Sequence, residues 1–306
     1  MPELIQDQWA QWLLQRRHGG DPERQQAMLN DLFSYRDQVL QHASLAAGET
    51  LLDVGAGDGL IAFGALEQVG TLGSVIFSDI SQDLLDHCQT LVGQMGMRER
   101  CQFVRASADD LAPFADASVD VVTTRSVLIY VSAKQQALHE FYRVLKSNGR
   151  ISLFEPINRF SFPELPHLFF GYDIASVQAL AEKVRAGYGR LTNFQSGADH
   201  AMLDFDERDL LRFAEQAGFD EVHMELRAQI KPKQPERWEA FAHSSPNPLA
   251  PTLEEVLQEA LTPAEAERFT NHLRPLVEQG QGAYRMAVAL LWAIKRARAN
   301  GAGAGS

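Results

Sequence analysis

Two kinds of hydrophobic pattern follow each other along the chain. Near its beginning, apolar residues recur at helical spacing: Trp9, Trp12 and Leu13 form one stripe, and HGGD (18–21) separates it from a second. Farther on, short apolar runs alternate with helical stretches. The sequence therefore predicts helices over residues 4–44, followed by a parallel β-sheet that carries helices on both faces.

The predicted sheet begins with five short apolar runs, which lie at residues 50–54, 74–78, 101–106, 119–124 and 151–154. The helices that connect them are predicted at residues 60–69, 82–95 and 133–146. The stretch SNGR (147–150) predicts a turn before the fifth strand, because asparagine and glycine favour turns.

The pattern becomes irregular after the fifth strand. Residues 156–205 are rich in aromatic residues and prolines. A helix is then expected over residues 206–219, with Gly218 as its stop, and a strand over residues 221–230. The last apolar run, residues 283–297, fits a helix or a strand, because its periodicity does not distinguish the two.

These changes of pattern give the expected domain boundaries. We expect an N-terminal helical lid (1–44), one large domain (45–300) with cap insertions at about 156–205 and 233–282, and a linker-like tail, GAGAGS (301–306).

Composition narrows the functional classes. The formal net charge of −12 argues against a protein that tracks nucleic-acid phosphates. The two cysteines form no CxxC pair, so no metal site is expected, and a reducing, cytoplasmic location is the simple inference. The start of the chain lacks the pattern of a signal peptide, and no apolar run approaches the length of a membrane span. The oligomeric state is left open.

A glycine-rich loop directly follows the first predicted strand, in LLDVGAGDGL (51–60). In an open parallel sheet, ligands bind at the carboxyl ends of the strands, where glycines let a ligand approach the backbone. The spacing is GxGxG, whereas a dinucleotide loop needs GxGxxG and would place its last glycine at Leu60. Asp79 ends the second strand about 20 residues later, which suits a carboxylate that binds ribose hydroxyls.

The series DVGAGDG, SDIS, ADDLAPF and RVLKSNGRISL, within residues 50–155, resembles the class I S-adenosylmethionine-dependent methyltransferases, in the branch that includes the ubiquinone and menaquinone methyltransferases. One departure is Ser107, where that branch often has an aspartate. The resemblance implies an α/β fold: a Rossmann-like, seven-stranded, doubly wound sheet with N-terminal helices and a helical cap. It also implies S-adenosylmethionine as the cofactor.

The resemblance assigns cofactor-binding roles by position. The residues implied to surround the methionine end are Asp53, Gly55, Ala56, Gly57 and Gly59. Those implied to contact ribose and adenine are Asp79, Ile80, Ala108 and Asp109. Arg125 and Ser126 would lie near the sulfonium and the acceptor.

Methyl transfer from a sulfonium is a direct displacement that depends mainly on alignment, so the sequence indicates its chemistry only weakly. We expect a small, partly apolar acceptor, bound by Arg125, Tyr130, Arg159, Phe160 and Tyr172. Arg125 and Arg159 would clamp a carboxylate or phosphate on it, or Arg125 would instead form an internal salt bridge with Glu155. Candidate catalytic residues are Glu155 and His167 as general bases, together with Arg125.

Two further hypotheses concern the lid and the activity. Tyr35 and Arg36 would fold over the cofactor. The rival functions are a methyltransferase-fold protein that binds the cofactor without transferring a methyl group, and an NAD(P)-dependent oxidoreductase, which the glycine spacing disfavours.

Overall fold

The computed structural model describes residues 7–191 and 198–297. The expected linker-like tail (301–306), residues 4–6 of the predicted first helix and residues 192–197 of the first cap insertion lie outside the described residues. None of the helices in the described ranges is both long enough and apolar enough to span a membrane.

A seven-stranded sheet forms the centre of the fold, in the order β3-β2-β1-β4-β5-β9-β8. Its strands are β1 (Thr50–Val54), β2 (Ser74–Asp79), β3 (Cys101–Arg105), β4 (Val119–Arg125), β5 (Leu145–Pro156), β8 (Glu221–Pro232) and β9 (Ala283–Ile294); a separate hairpin consists of β6 (Leu168–Phe169) and β7 (Tyr172–Asp173). Strands β1 to β5 are parallel, and β9 runs antiparallel to both β5 and β8. The chain passes from β1 outward to β3 and then returns to β4, so the strand order reverses between β1 and β4. The expected α/β fold is confirmed.

Eleven α-helices are present in the described residues. They are α1 (Gln8–Leu14), α2 (Pro22–Ala43), α3 (Leu60–Gln68), α4 (Gln82–Gln94), α5 (Lys134–Val144), α6 (Gln178–Leu191), α7 (Ala198–Leu203), α8 (Glu207–Ala217), α9 (Trp238–His243), α10 (Leu253–Ala260) and α11 (Pro263–Glu278). Local chemistry sets several of their ends. Asp21 accepts two backbone N–H bonds at the start of α2, and Gly218 ends α8 with a positive φ of 103°.

The structure corrects one prediction about the strands and decides another that the sequence left open. The predicted turn at residues 147–150 is wrong: these residues lie inside β5, which is irregular against β4 and has Asn148 at a positive φ of 64°. The ambiguous run at residues 283–297 forms β9. Because β9 is paired on both edges and its central residues are buried, it has lost the alternation that marks a half-exposed strand.

Both faces of the sheet are covered, and the alternation of side chains along each strand separates the two cores. In β1, Leu52 packs into one cluster together with Val122 of β4, whereas Leu51 packs into the other together with Val121. A third cluster is separate from the sheet and joins α6, α9, α10 and α11 around Phe169. The segments predicted as cap insertions thus share one core of their own.

Candidate active site

A cavity of about 640 Å³ opens at the carboxyl ends of β1, β2 and β4, where the strand order reverses. Its floor includes Val54, Asp79 and Arg125, each from the end of one of these strands. Helix α1 and the residues after it form the opposite wall.

The glycine loop after β1 forms one side of the cavity. Gly55 has a positive φ of 67°, and a Cβ atom on it would overlap with the Val127 side chain, so this position requires glycine. Gly55 and Gly57 line the cavity. Gly59 and Ala56 lie outside the lining: Gly59 begins α3, and the Ala56 N–H donates to the carbonyl of Ser78 (2.9 Å). These two residues therefore hold the conformation of the loop without lining the cavity.

Asp79 lines the cavity with a fixed carboxylate. Its Oδ2 accepts the Gly57 N–H (2.9 Å) and its Oδ1 accepts the Ser81 N–H (2.9 Å). Only 7% of the residue is exposed, and burial raises the pKa of its carboxyl group. Each carboxylate oxygen has a second lone pair, so the group still has capacity to accept hydroxyl donors from a ligand.

The expected adenine-side residues come together beside Asp79. Ile80, Ala108 and Asp109 all line the cavity, and so does Ser107, the residue that departs from the family pattern. The Ser107 hydroxyl donates to the Asp109 carboxylate, which fixes the orientation of that side chain.

Asp53 occupies a different place from the one implied by the resemblance. It is 2% exposed and lies outside the cavity lining. Its carboxylate accepts the Thr123 hydroxyl (2.8 Å) and the Ala62 N–H (3.2 Å). Burial raises the pKa of Asp53 to about 7. Asp53 therefore ties β1 to β4 and to α3 beneath the glycine loop.

Asp58, within the glycine loop, was not singled out by sequence reasoning. Its Oδ1 is buried and has no hydrogen-bond partner among the described residues. Asp58 lies outside the cavity lining, so this oxygen is not placed among the groups that face a ligand. The glycine surface and the Asp79 carboxylate, which do line the cavity, fit S-adenosylmethionine.

Aromatic side chains form the other half of the cavity. Trp9 and Tyr130 meet edge to face, with ring centroids 5.0 Å apart, and both line the cavity together with Trp12 and Met28. We name these four residues the aromatic compartment. The Arg17 guanidinium lies 5.1 Å from the Trp12 ring centroid. Of this half, the sequence had indicated Tyr130 and the neighbouring Arg125 and Ser126, which also line the cavity.

Helix α1 is held across the cavity by contacts at both of its ends. The Asp7 N–H donates to the Asp83 carboxylate of α4 (2.6 Å). The Trp12 indole N–H donates to the Ser245 carbonyl (3.0 Å), and the Ser245 N–H donates to the Arg16 carbonyl (3.1 Å). The segment that follows α9 thereby becomes part of the wall, although it lies more than 200 residues away in sequence.

The residues after β5 that were expected to bind the acceptor lie elsewhere. Arg159 and His167 are exposed, and Arg159 faces Asp206 (3.9 Å). Phe160 lies near the Arg285 guanidinium, and Tyr172 is buried in the cap core. All four lie outside the cavity lining, although Asn158, the neighbour of Arg159, is part of it. Their expected contact with the acceptor is not supported.

The lid residues and Glu155 also differ from expectation. Tyr35 packs on Phe154 and lies outside the lining, as does Arg36. Glu155 is fully buried behind the cavity, where its carboxylate accepts three consecutive backbone N–H groups at residues 127–129 and forms no salt bridge with Arg125. Burial raises the pKa of Glu155 to about 7. Its place is that of a positioning residue, because it holds the loop that carries Tyr130.

Comparison with known sequences identifies the family. The model of the ubiE/COQ5 methyltransferase family matches residues 26–228, which is more than half of the chain. The ubiquinone/menaquinone biosynthesis C-methyltransferase UbiE of Francisella tularensis subsp. novicida is 30% identical over 201 residues, which cover 64% of this chain and 78% of that protein. The protein of the same name from Xylella fastidiosa is 33% identical over 181 residues, covering 53% and 71% of the two chains.

Solved structures agree on the fold. A Bacillus halodurans chain assigned as a methyltransferase matches with a TM-score of 0.52 and 20% identity, covering 86% of this chain and all of that one. The YcgJ protein of Bacillus subtilis matches with a TM-score of 0.50 and 18% identity, covering 86% and 98%.

The expected cofactor, S-adenosylmethionine, and the expected activity, methyl transfer to a small molecule, are confirmed by the family match. The chain belongs to the ubiE/COQ5 methyltransferase family.

Proposed function

We propose that the adenosyl part of S-adenosylmethionine binds at the strand ends, and that its methyl group points into the aromatic compartment, where a small, partly apolar acceptor binds. The observation that carries this proposal is the division of one cavity into two chemically different halves. The strand-end half offers the glycine loop and the Asp79 carboxylate, and the half under α1 offers Trp9, Trp12 and Tyr130.

Each part of the cofactor has a counterpart in the first half. Asp79 would accept the ribose hydroxyls, because its carboxylate is held rigidly and keeps free lone pairs. Ile80, Ala108 and Asp109 lie beside it, where the adenine would be bound. The loop glycines Gly55 and Gly57 would approach the methionine part.

The chemistry is a displacement in which the chain aligns the reactants. Bound S-adenosylmethionine supplies a methyl group on a positively charged sulfur. Helix α1 and the Ser245 segment close the cavity and exclude water, and positioning of this kind contributes about 7–11 kcal/mol. The acceptor atom would bond to the methyl carbon as the bond to sulfur breaks, with S-adenosylhomocysteine as the leaving group. The expected general bases, Glu155 and His167, lie outside the cavity lining, so any proton that the acceptor loses would pass to solvent when the products leave and not to either residue.

The names of the relatives suggest the acceptor atom. The two UbiE proteins are named as C-methyltransferases, so a ring carbon of an electron-rich aromatic acceptor is the first candidate here. The aromatic compartment supports this choice, because Trp9, Trp12 and Tyr130 offer ring faces and edges to a planar molecule.

Three broader features belong to the same proposal. The segment 1–44 acts as the lid, supported by the contacts of α1 across the cavity. The protein works in the cytoplasm, supported by two cysteines that are buried and unpaired. It has no nucleic-acid partner, supported by its net charge of −12.

Calorimetric titration with S-adenosylhomocysteine tests the cofactor assignment. Asp79→Asn replaces an acceptor by a donor and should weaken binding by roughly 10- to 100-fold, the equivalent of losing a hydrogen bond to a charged group. Asp86→Asn on the exposed face of α4 is the matched control and should bind as the wild type does. Unchanged affinity of Asp79→Asn with an unchanged melting temperature, or tight binding of NADH alone, contradicts the proposal.

A further inference from the structure

We propose that the acceptor carries an anionic group, a carboxylate on an aromatic body, and that Arg17 and Arg125 bind this group. The inference rests on the proposed function, since it assigns the substrate class of the same cavity. Neither the family match nor the names of the relatives mention a charged acceptor.

The two arginines reach the cavity from different elements. Arg17 belongs to the 3-10 helix Arg16–His18 that follows α1, and Arg125 ends β4. Both line the cavity. Within residues 7–191 and 198–297, neither guanidinium has an ion-pair or hydrogen-bond partner, whereas Arg24, which also lines the cavity, is paired with Glu236. The pair therefore has unused hydrogen-bonding capacity that faces the ligand space.

The electrostatic environment of Arg17 and Arg125 favours a bound anion. Burial and, second to it, the positive charge of Arg125 lower the pKa of Arg17 to about 10, against a smaller opposing effect of the Asp58 charge. Two cations held near each other in a partly desolvated space repel, and a bound anion removes that cost. The face of Trp12 lies against the Arg17 guanidinium and keeps it in the cavity.

The charge of the cofactor does not supply this anion. The ammonium and carboxylate of its methionine part cancel, and the sulfonium adds one positive charge. Asp79 and Asp109 also line the cavity, but their carboxylates accept hydrogen bonds from Gly57, Ser81 and Ser107 and form no ion pair with either arginine. A carboxylate on the acceptor would match the paired N–H groups of a guanidinium, which these residues leave unused. The neighbouring rings of Trp9, Trp12 and Tyr130 fit an aromatic body for the same molecule.

Calorimetry on the full chain saturated with S-adenosylhomocysteine tests the proposal, with 2-naphthoate and its neutral amide, 2-naphthamide, as probes. The acid should bind at least tenfold more tightly than the amide. Arg17→Gln and Arg125→Gln should each weaken binding of the acid by roughly 10- to 100-fold, and should leave the amide unchanged. Arg17→Lys, which keeps the charge and loses the fork of donors, should retain part of the affinity.

Arg16→Gln is the matched control. Arg16 is the neighbour of Arg17 on the same 3-10 helix, but it pairs with Glu255 outside the cavity lining, so binding of 2-naphthoate should not change. Melting temperatures of all variants show that they are folded.

The outcomes separate this inference from the proposed function. Wild-type protein that fails to bind S-adenosylhomocysteine overturns the proposed function before any probe is added. Protein that binds it, but binds the acid no better than the amide, overturns the anionic acceptor alone. If the arginine variants lose affinity for S-adenosylhomocysteine but not for 5′-methylthioadenosine, which lacks the α-carboxylate, the pair serves the cofactor and the proposal is also overturned.

Discussion

Replacing Glu155 with glutamine removes one of the two oxygens that hold the loop after β4. In the structure, Oε1 accepts the Val127 N–H (2.9 Å) and the Leu128 N–H (3.0 Å), and Oε2 accepts the Ile129 N–H (3.3 Å). The glutamine carbonyl can keep the first two bonds, but its NH₂ group cannot accept the third, whereas the hydroxyl oxygen of the protonated carboxyl group still can. An unsatisfied buried N–H costs about 1–3 kcal/mol, so we expect Glu155→Gln to be less stable than the wild type by about this amount at pH 5.

The difference should shrink as the pH rises. Burial raises the pKa of Glu155 to about 7 in the folded protein, from the ordinary value of 4.5 that applies to the unfolded chain. Between these two pH values the folded protein holds a proton that the unfolded chain has released, so raising the pH lowers the free energy of unfolding of the wild type. One pKa unit corresponds to about 1.4 kcal/mol, so the rise of the Glu155 pKa from 4.5 to about 7 lowers the free energy of unfolding by about 3 kcal/mol in total. Glutamine does not titrate and avoids this loss.

Urea denaturation of both proteins at pH 5 and pH 8 measures the effect. We expect Glu155→Gln to be the less stable protein at pH 5, and the difference to vanish or reverse at pH 8. Asp53, whose pKa burial also raises to about 7, titrates in both proteins and cancels from the comparison. A difference that is the same at both pH values would refute the reasoning that burial of this carboxyl group controls its protonation.

Two further substitutions test the glycine loop and the cap. Gly55→Ala places a methyl group against Val127 and should weaken S-adenosylhomocysteine binding at least tenfold by calorimetry. The control is Gly93→Ala in α4, where a Cβ meets nothing within 4 Å, and it should bind as the wild type does. Equal affinities of the two variants would contradict a close approach of the ligand to the Gly55 backbone. Lys134→Met removes the buried ammonium that donates to two backbone carbonyls and to Asp204 (2.6 Å), so chemical denaturation should show that the free energy of unfolding falls by about 2–3 kcal/mol. A fall below about 0.5 kcal/mol would contradict a stabilising role for these three hydrogen bonds.

The strand-end half of the cavity, where we propose that the cofactor binds, could be predicted because local rules determine most of it. Strand β1 has the predicted bounds, and the glycines of the loop after it adopt the positive φ that glycine favours. Asp79 follows from the end of the next strand. Each of these features depends on the order of strands and loops, which the hydrophobic pattern indicates directly.

Contacts between distant parts of the chain explain two differences between prediction and structure. Asn148 does adopt the positive φ that its turn chemistry suggested, but pairing with β4 keeps the segment within β5. Asp53 ends the first apolar run as a binding carboxylate would, yet its side chain points to Thr123 and away from the cavity. The sequence showed where these residues lie along a strand, and not which face of the sheet they take.

Most of the half under α1, where we propose that the acceptor binds, could not be predicted, because residues far apart in sequence form it; Tyr130 is the exception. The stripe of Trp9, Trp12 and Leu13 has the spacing of any helix that packs on a core, and nothing nearby shows that it faces a cavity. Its position depends on a hydrogen bond from Trp12 to Ser245, across 233 residues. Phe160 seemed closer to the site only because it follows β5 in sequence. The half under α1 depends on how α1 docks against the Ser245 segment, so under the proposed function we expect substitutions in α1 to change the choice of acceptor and to leave cofactor affinity at the strand ends unchanged.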